Sequence, residues 1–337
     1  MSEVARRATL RDVAETAGVS RSTASRALSG RGYVAEPVRK KVLRTAEKLG
    51  YVPDVMARNL KQQVSRSIGI LVTDLRNQFY ADLAAGASQQ ARLSGYTTML
   101  VDDGLSSAAD DAAIAEAFVA LRVGGVILTP TSAAVPEYLA RHRVPIVEVD
   151  RQFTPDGSDG VVVDNAAGAR AATEHLLELG HRRIALFIDE TDWTTGRGRY
   201  DGYVAALGAA GVAVDPDLVV ATGWDVEGSR ARAVQMLGGR SRPTAVFAAN
   251  NVLAEGAWRA IAELGLSVPG DISLVAFDDA PWMSMVTPGV TAVAQDSVEM
   301  GAAAVRRLLA RLEDPVGAPQ TTILDATLRT RGSTGPL

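Results

Sequence analysis

Two sets of polar side chains carry the chemistry that can be read from this chain. The first is a run of donors near the N-terminus: Arg21, Ser22, Ser25 and Arg26. A guanidinium can donate two bonds to the O6 and N7 edge of guanine, and a serine hydroxyl can bond several base edges. The second is a set of acceptors at the ends of short apolar runs. Asp150 ends Pro145–Asp150, Asn250 follows Phe247-Ala248-Ala249, and Asp278 follows Phe277. Carboxylates and amides so placed suit a neutral polyol, because one carboxylate can accept two hydroxyl protons.

Other chemistries are excluded or unsupported. The chain has no cysteine, so thiolate zinc sites, cysteine nucleophiles and disulfides are impossible. Its three histidines, His142, His175 and His181, are too few and scattered for a His-rich metal site. No phosphate-binding Walker sequence, G-x-S-x-G elbow or H-E-x-x-H helix is present. The paired carboxylates (Asp102-Asp103, Asp110-Asp111, Asp278-Asp279) are adjacent, which points such side chains apart. Glycosidase chemistry would need two carboxylates facing one bond at a defined separation. Gly196, Gly198 and Gly202 form G-x-G-x-x-x-G, which is not the dinucleotide spacing, and no strand runs straight into it. No enzyme, metal or cofactor is therefore expected.

The elements that must hold these groups fall into a head and a body. With 337 residues the chain is long enough for about two domains. Residues 1–63 hold 13 Lys and Arg against 6 Asp and Glu, a net of +7, whereas the remainder nets −11. A basic head on an acidic body suggests a polyanion-binding module joined to something else. In the head, Thr9 caps a helix with Leu10, Val13, Ala14 and Ala17 on one face, and Gly18 ends it. Ser20 caps a second helix with Ala24, Ala27 and Leu28 inward and the four donors outward. A third runs from about Glu36 to Leu49, with Arg39, Lys40, Arg44 and Lys48 mostly outward and Pro37 in its first turn. This is the pattern of a helix-turn-helix, whose second helix lies in the DNA major groove. Thr9, Ser20, Ser25 and the third helix's basic residues are then candidates for phosphate contacts. A generic three-helix bundle is the alternative on spacing alone.

From Ser67 onward strand and helix signals alternate. Strands are expected at Ser67–Leu75, Thr97–Asp102, Gly125–Thr129 and Pro145–Asp150, with helices near 79–94, 108–122 and 135–142. A second series has strands at Arg183–Ile188, Leu218–Thr222, Ala245–Ala248 and Ile272–Phe277, and helices near 166–180, 197–211, 228–238 and 252–265. Two such series read as two doubly wound α/β lobes. No apolar run approaches the ~20 residues of a membrane span, and residues 1–11 lack a signal-peptide core. A soluble, cytoplasmic protein is expected.

Several segments together resemble the LacI/GalR (lactose-repressor) family of bacterial transcription regulators. They are Thr9–Leu28, Leu49-Gly50-Tyr51-Val52-Pro53-Asp54, Ala57-Arg58-Asn59-Leu60, Asp164-Asn165, His175–Ala185, Phe247–Asn250, Phe277-Asp278-Asp279 and Arg331–Thr334. The resemblance implies an all-α helix-turn-helix head (1–50), a hinge helix and linker (51–65), and a two-lobed body like periplasmic binding proteins (66–332). Lobe one would comprise about 66–164 and 295–323, lobe two about 165–294 and 324–332, with crossovers near Asp164, Ala292–Gln295 and Leu324–Ala326. It also implies a dimer on a palindromic operator, with paired hinge helices brought close at Ala57 and Leu60 wedged into the minor groove. Such a wedge unstacks a base step and bends the DNA.

In the body, the resemblance adds Arg199, Trp224, Phe79 and Tyr80 to the cleft residues Asp150, Asn250 and Asp278, and Trp193 lies where it would close the same pocket. Alternatives are a capping role for Asp278-Asp279, a core place for Phe79 and a surface ion pair for Arg199. Asp54 replaces the family's usual Asn, Ala35 a capping Ser or Thr, and Asn251 a frequent Asp. The function implied is a regulator, of repressor type, whose hold on double-stranded DNA is set by a small molecule in the cleft. A sugar is the expected effector, with a purine as the main competitor. A solute-binding or carbohydrate-processing protein is the reading from another class, and the basic head argues against it. The expected location is the cytoplasm, at the nucleoid. After Arg331–Thr334 no leucine-heptad tetramerisation segment is expected.

Overall fold

Thr9 opens the first helix through a reciprocal cap. Its hydroxyl oxygen accepts from the Asp12 amide at 3.3 Å, and the Asp12 carboxylate accepts from the Thr9 amide at 2.7 Å. Helix α1 (Leu10–Ala17) ends at Gly18, whose φ of 64° is the left-handed conformation that turns the chain. Ser20 caps α2 (Arg21–Ser29) by accepting from the Thr23 amide. Helix α3 (Glu36–Lys48) has Pro37 in its first turn and no side-chain cap from Ala35. The three close on a small core of Val13, Ala14, Ala17, Ala24, Ala27, Val42 and Ala46. Such a core of small side chains lets short helices approach closely.

This computed structural model describes residues 8–30, 32–52, 65–104, 108–189 and 191–337, in two compact units, 1–65 and 66–337. Ala57 and Leu60 lie outside the described residues.

The second unit alternates as its sequence pattern requires. In order it has β1 (Ser67–Val72), α4 (Gln78–Leu93), β2 (Thr97–Asp102), α5 (Ala108–Ala120), β3 (Gly125–Leu128), α6 (Ala134–Arg141), β4 (Ile146–Val149) and β5 (Asp159–Val163). Then come α7 (Asn165–Glu178), β6 (Ile184–Ile188), α8 (Thr194–Ala209), β7 (Val219–Ala221), α9 (Val226–Leu237), β8 (Ala245–Ala248), α10 (Asn251–Glu263), β9 (Ser273–Phe277), α11 (Trp282–Met285) and β10 (Thr291–Gln295). The chain finishes with α12 (Ser297–Glu313), β11 (Thr321–Leu324) and β12 (Ala326–Arg329).

The strands form two six-stranded sheets, ordered β11-β5-β4-β3-β1-β2 and β12-β10-β9-β8-β6-β7. Pairing is parallel except between β10 and β12. The central strands are buried and largely apolar, Glu148 of β4 being an exception, because helices cover both faces. Each order reverses direction once, at β1/β3 and at β6/β8, and ligands bind such sheets beyond the strands' carboxyl ends at that point.

Ala292–Gln295, near which a crossover was expected, belongs to strand β10 of the second sheet. The chain changes lobes after it, at Asp296, which caps α12. Helix α8 starts at Thr194 rather than near 197. Six elements have no counterpart in the sequence reading: β5, β10, α11, α12, β11 and β12. Strands β11 and β12 are short, and none of their residues is buried. Their pairing comes from neighbours distant in sequence rather than from an apolar signature of their own.

One glycine has a direct bearing on the cleft. A Cβ at Gly202 on α8 would lie 2.2 Å from the Ala166 carbonyl oxygen on α7, so the two helices touch backbone to backbone. That contact brings Arg199 beside Asn165.

Candidate functional site

The acceptors predicted at strand ends face one cleft between the lobes. Asp150 follows β4, the fourth strand of lobe one, and Asp278 follows β9, the fourth of lobe two. Both have left-handed backbone, φ 68° and 66°. For a non-glycine residue that conformation costs energy and persists where the surroundings hold it, often at functional sites. Thr73 follows β1, Asp189 follows β6, and Asn250 lies just beyond β8. Each polar group thus sits where a parallel strand ends, and all five line one cleft.

Every body residue expected in the cleft lines it: Phe79, Tyr80, Asp150, Trp193, Arg199, Trp224, Asn250 and Asp278. Together with seven others, among them Thr73, Arg151 and Asp189, they line one cleft. Phe79 both lines the cleft and packs into the core. Its ring meets Tyr80 edge to face, with centroids 5.1 Å apart. Trp193 and Trp224 form a tilted pair at 4.0 Å. Asn250 caps α10 by accepting from the Leu253 amide at 2.8 Å, and its amide nitrogen donates to Asp189 at 2.8 Å.

Arg199 is buried rather than on the lobe surface. Its Nε donates to Asn165 Oδ1 at 2.9 Å and its Nη1 to the Ala249 carbonyl at 2.5 Å. The guanidinium stacks on Phe277 at 3.9 Å and lies 4.0 Å from the Asp278 carboxylate. Asp278 also accepts from Gln295 Nε2. Its neighbour Asp279 turns away to bind Arg331 at 2.7 Å and Arg329 at 3.1 Å. The adjacent carboxylates therefore do different work: one faces the cleft, and the other anchors the C-terminal segment.

Burial pushes the Asp150 and Asp278 carboxyls above their usual range, against the pull of Arg151 and Arg199 on the first and of Arg199 on the second. Burial likewise raises the Tyr80 phenol, whose hydroxyl donates to Asp150 at 3.3 Å. The cleft can therefore offer acidic acceptors, guanidinium donors and aromatic faces to one ligand. Among the described residues no cluster of His, Cys, Asp and Glu could hold a metal ion. No helix among them is long and apolar enough to cross a membrane.

Three features were missed. Thr73 and Asp189 obey the same strand-end rule and were legible by it. Arg151 had no sequence signal, lying two residues beyond β4 and after the acceptor Asp150. A third is the bond between lobes from Asn251 Nδ2 to Asn77 Oδ1 at 2.9 Å. It depends on an asparagine where the family often has aspartate.

In the head, Arg21, Ser22 and Arg26 are exposed and Ser25 is half-buried on one face of α2, opposite the buried Ala24 and Ala27. Thr9 and Ser20 serve as helix caps, and the Ser20 hydroxyl also bonds Ser22 and Thr23 at 2.8 Å. Lys40, Lys41, Arg44 and Lys48 form an exposed basic stripe along α3.

Comparison with known proteins bears on both units. The family profile "Bacterial regulatory proteins, lacI family" matches residues 9–54, and that of a periplasmic binding protein-like domain matches 173–334. The ribose operon repressor of Haemophilus influenzae is 32% identical over 327 residues, 97% of this chain and 98% of that one. The lac repressor dimer bound to operator and an anti-inducer superposes with a TM-score of 0.86 at 28% identity, covering 98% of this chain and 100% of that one. A regulator from Enterococcus faecium with bound ribose gives 0.72 at 28% identity, covering 80% and 99%. With a basic helix-turn-helix head, a two-lobed body and relatives that match along nearly its whole length, the chain belongs to the LacI family of bacterial transcriptional regulators and is not an enzyme.

Proposed function

We propose that this protein is a repressor that binds a palindromic operator as a dimer and whose DNA affinity is set by a neutral carbohydrate in the inter-lobe cleft. In this reading Arg21, Ser22 and Arg26 meet base edges. Thr9, Ser20, Ser25 and the α3 stripe meet phosphates. Ala57 and Leu60 serve the minor-groove contact that the family resemblance implies. The effector lies among Asp150, Arg199, Asn250 and Asp278, stacked on Trp224, with Phe79, Tyr80 and Trp193 closing the site. The protein acts in the cytoplasm, at the nucleoid.

The observation that carries the reading is the convergence of these eight side chains, from both lobes, on one cleft. A sugar hydroxyl donates one bond and accepts others, so it suits a site that alternates carboxylate with guanidinium. An indole face packs on the C–H surface of a sugar ring. The ligand acts by linkage: preferring one arrangement of the lobes, it shifts the protein toward that arrangement and changes DNA affinity by the same coupling.

The relatives' names make D-ribose the first probe. Thermal shift with a panel of neutral sugars, then anisotropy on a palindromic operator with and without the stabilising sugar, tests the reading. Stabilisation by a sugar together with a change in operator affinity is the expected result. A purine is the second reading, favoured by the aromatic surface of Trp193 and Trp224. Stabilisation by nucleobases alone would select it.

A further inference from the structure

Arg151 is the least accounted-for group in the cleft. It is 1% exposed and is the largest fully buried side chain among the described residues. Its Nη2 donates to Thr73 Oγ1 at 2.7 Å and to the Tyr80 hydroxyl at 2.9 Å. Its guanidinium lies 3.9 Å from the centre of the Trp193 ring. Nη1 has no hydrogen-bond acceptor among the described residues, and neither has Nε, which lies 3.5 Å from Asp150 Oδ2. A buried donor left unpaired is costly, and more so when charged. An acceptor supplied by a ligand would remove that cost.

We infer that Arg151 is a specificity-determining residue of the cleft, whose Nη1 donates to a hydroxyl or ring oxygen of a neutral sugar and not to an anionic group. The inference rests on the carbohydrate reading above and names the polar group that selects within it. Neutrality follows from the charges around the site. Arg151 lies beside Asp150, and Arg199 beside Asp278. Asp189 adds a further carboxylate to the lining, and Asp74 is held by Arg76 at 2.9 Å. With both guanidiniums balanced by neighbouring carboxylates and one more acid present, a phosphate or carboxylate on the ligand would meet no excess positive charge. A hydroxyl there can accept from Arg151 while donating to Asp150. Thr73 and Tyr80 fix the guanidinium plane, and Trp193 covers its face. The one direction left for Nη1 is thus held before the ligand arrives, as selective recognition requires.

The test uses the full chain. D-ribose, D-xylose, D-glucose and cellobiose are titrated calorimetrically into wild type. The tightest binder is then compared with its singly deoxygenated derivatives on wild type, Arg151→Lys and Arg151→Met. One deoxy position is expected to weaken wild-type binding at least about tenfold, equivalent to about 1.4 kcal/mol. Both variants should bind the parent sugar at least about tenfold more weakly and should discriminate against that deoxy sugar less than about threefold. Where Arg151→Met does not fold, Arg151→Lys, which keeps the charge, carries the comparison. Unchanged discrimination in the variants, or a wild type indifferent to every deoxygenation, overturns the role of Arg151 and leaves the carbohydrate reading standing. Tighter binding of D-ribose 5-phosphate than of D-ribose overturns the neutral assignment. Binding of no sugar in the panel overturns both this inference and the reading beneath it.

Discussion

Replacing Asp278 by alanine removes a carboxylate that the fold places at the centre of the cleft. It is buried, lies 4.0 Å from Arg199 and accepts from Gln295 Nε2. In the proposed complex it accepts from two sugar hydroxyls. Each hydrogen bond to a charged acceptor contributes ~1.5–3 kcal/mol. Losing two therefore weakens binding by ~3–6 kcal/mol, a factor of about 10² to 10⁴ in Kd. The fold should survive, because Arg199 keeps its bonds to Asn165 and Ala249. The head is a separate unit with its own core, so operator binding without ligand should persist. The assay is calorimetry with the sugar selected by thermal shift, beside anisotropy on the operator for the same preparation. A variant that binds this sugar within about threefold of wild type would refute the assignment of Asp278 as a ligand acceptor.

Three further outcomes follow from the same geometry. Arg26→Ala should weaken specific operator binding by ~1–3 kcal/mol if it reads a guanine, and relax selectivity at one position per half-site; an unchanged selected sequence would remove Arg26 from the reading. Sugar affinity should fall as pH is lowered. Burial raises the folded-state pKa of Asp150 and Asp278 above the unfolded value of ~3.9. Their contribution to stability is thus fully present below that value and lost as pH rises through the raised one, while hydroxyl donors favour the ionised form. Calorimetry in two buffers of different ionisation enthalpy, at a pH within that window, should show proton release on binding; proton uptake would contradict the argument. Gly202→Ala should destabilise the body by ~1–3 kcal/mol, because its Cβ would sit 2.2 Å from the Ala166 carbonyl oxygen. The altered α7–α8 contact should also displace Arg199 and weaken ligand binding, and thermal melting and calorimetry on one preparation read both effects.

The head was legible in the sequence because its determinants are local. Thr9 and Asp12 form their cap within one turn, Gly18 supplies the left-handed residue, and the spacing of Val13, Ala14 and Ala17 defines a buried face. The acceptors of the cleft were legible for a related reason. Parallel strands end at one edge of a sheet, so a polar residue after each apolar run faces the same crevice. That rule reached Asp150, Asn250 and Asp278, and it extends to Thr73 and Asp189. Tertiary structure decided the rest. Strands β11 and β12 have no buried stripe and exist through their pairing with β5 and β10. The pairing of Trp193 with Trp224 and the bond from Asn251 to Asn77 join residues whose distance in sequence carries no period. Nothing local separates Asp278, facing the ligand space, from Asp279, held by Arg331. Arg151 shows the limit most clearly. An arginine beside an aspartate reads as a solvated pair, and only the packing of Thr73, Tyr80 and Trp193 around it leaves Nη1 buried without an acceptor among the described residues.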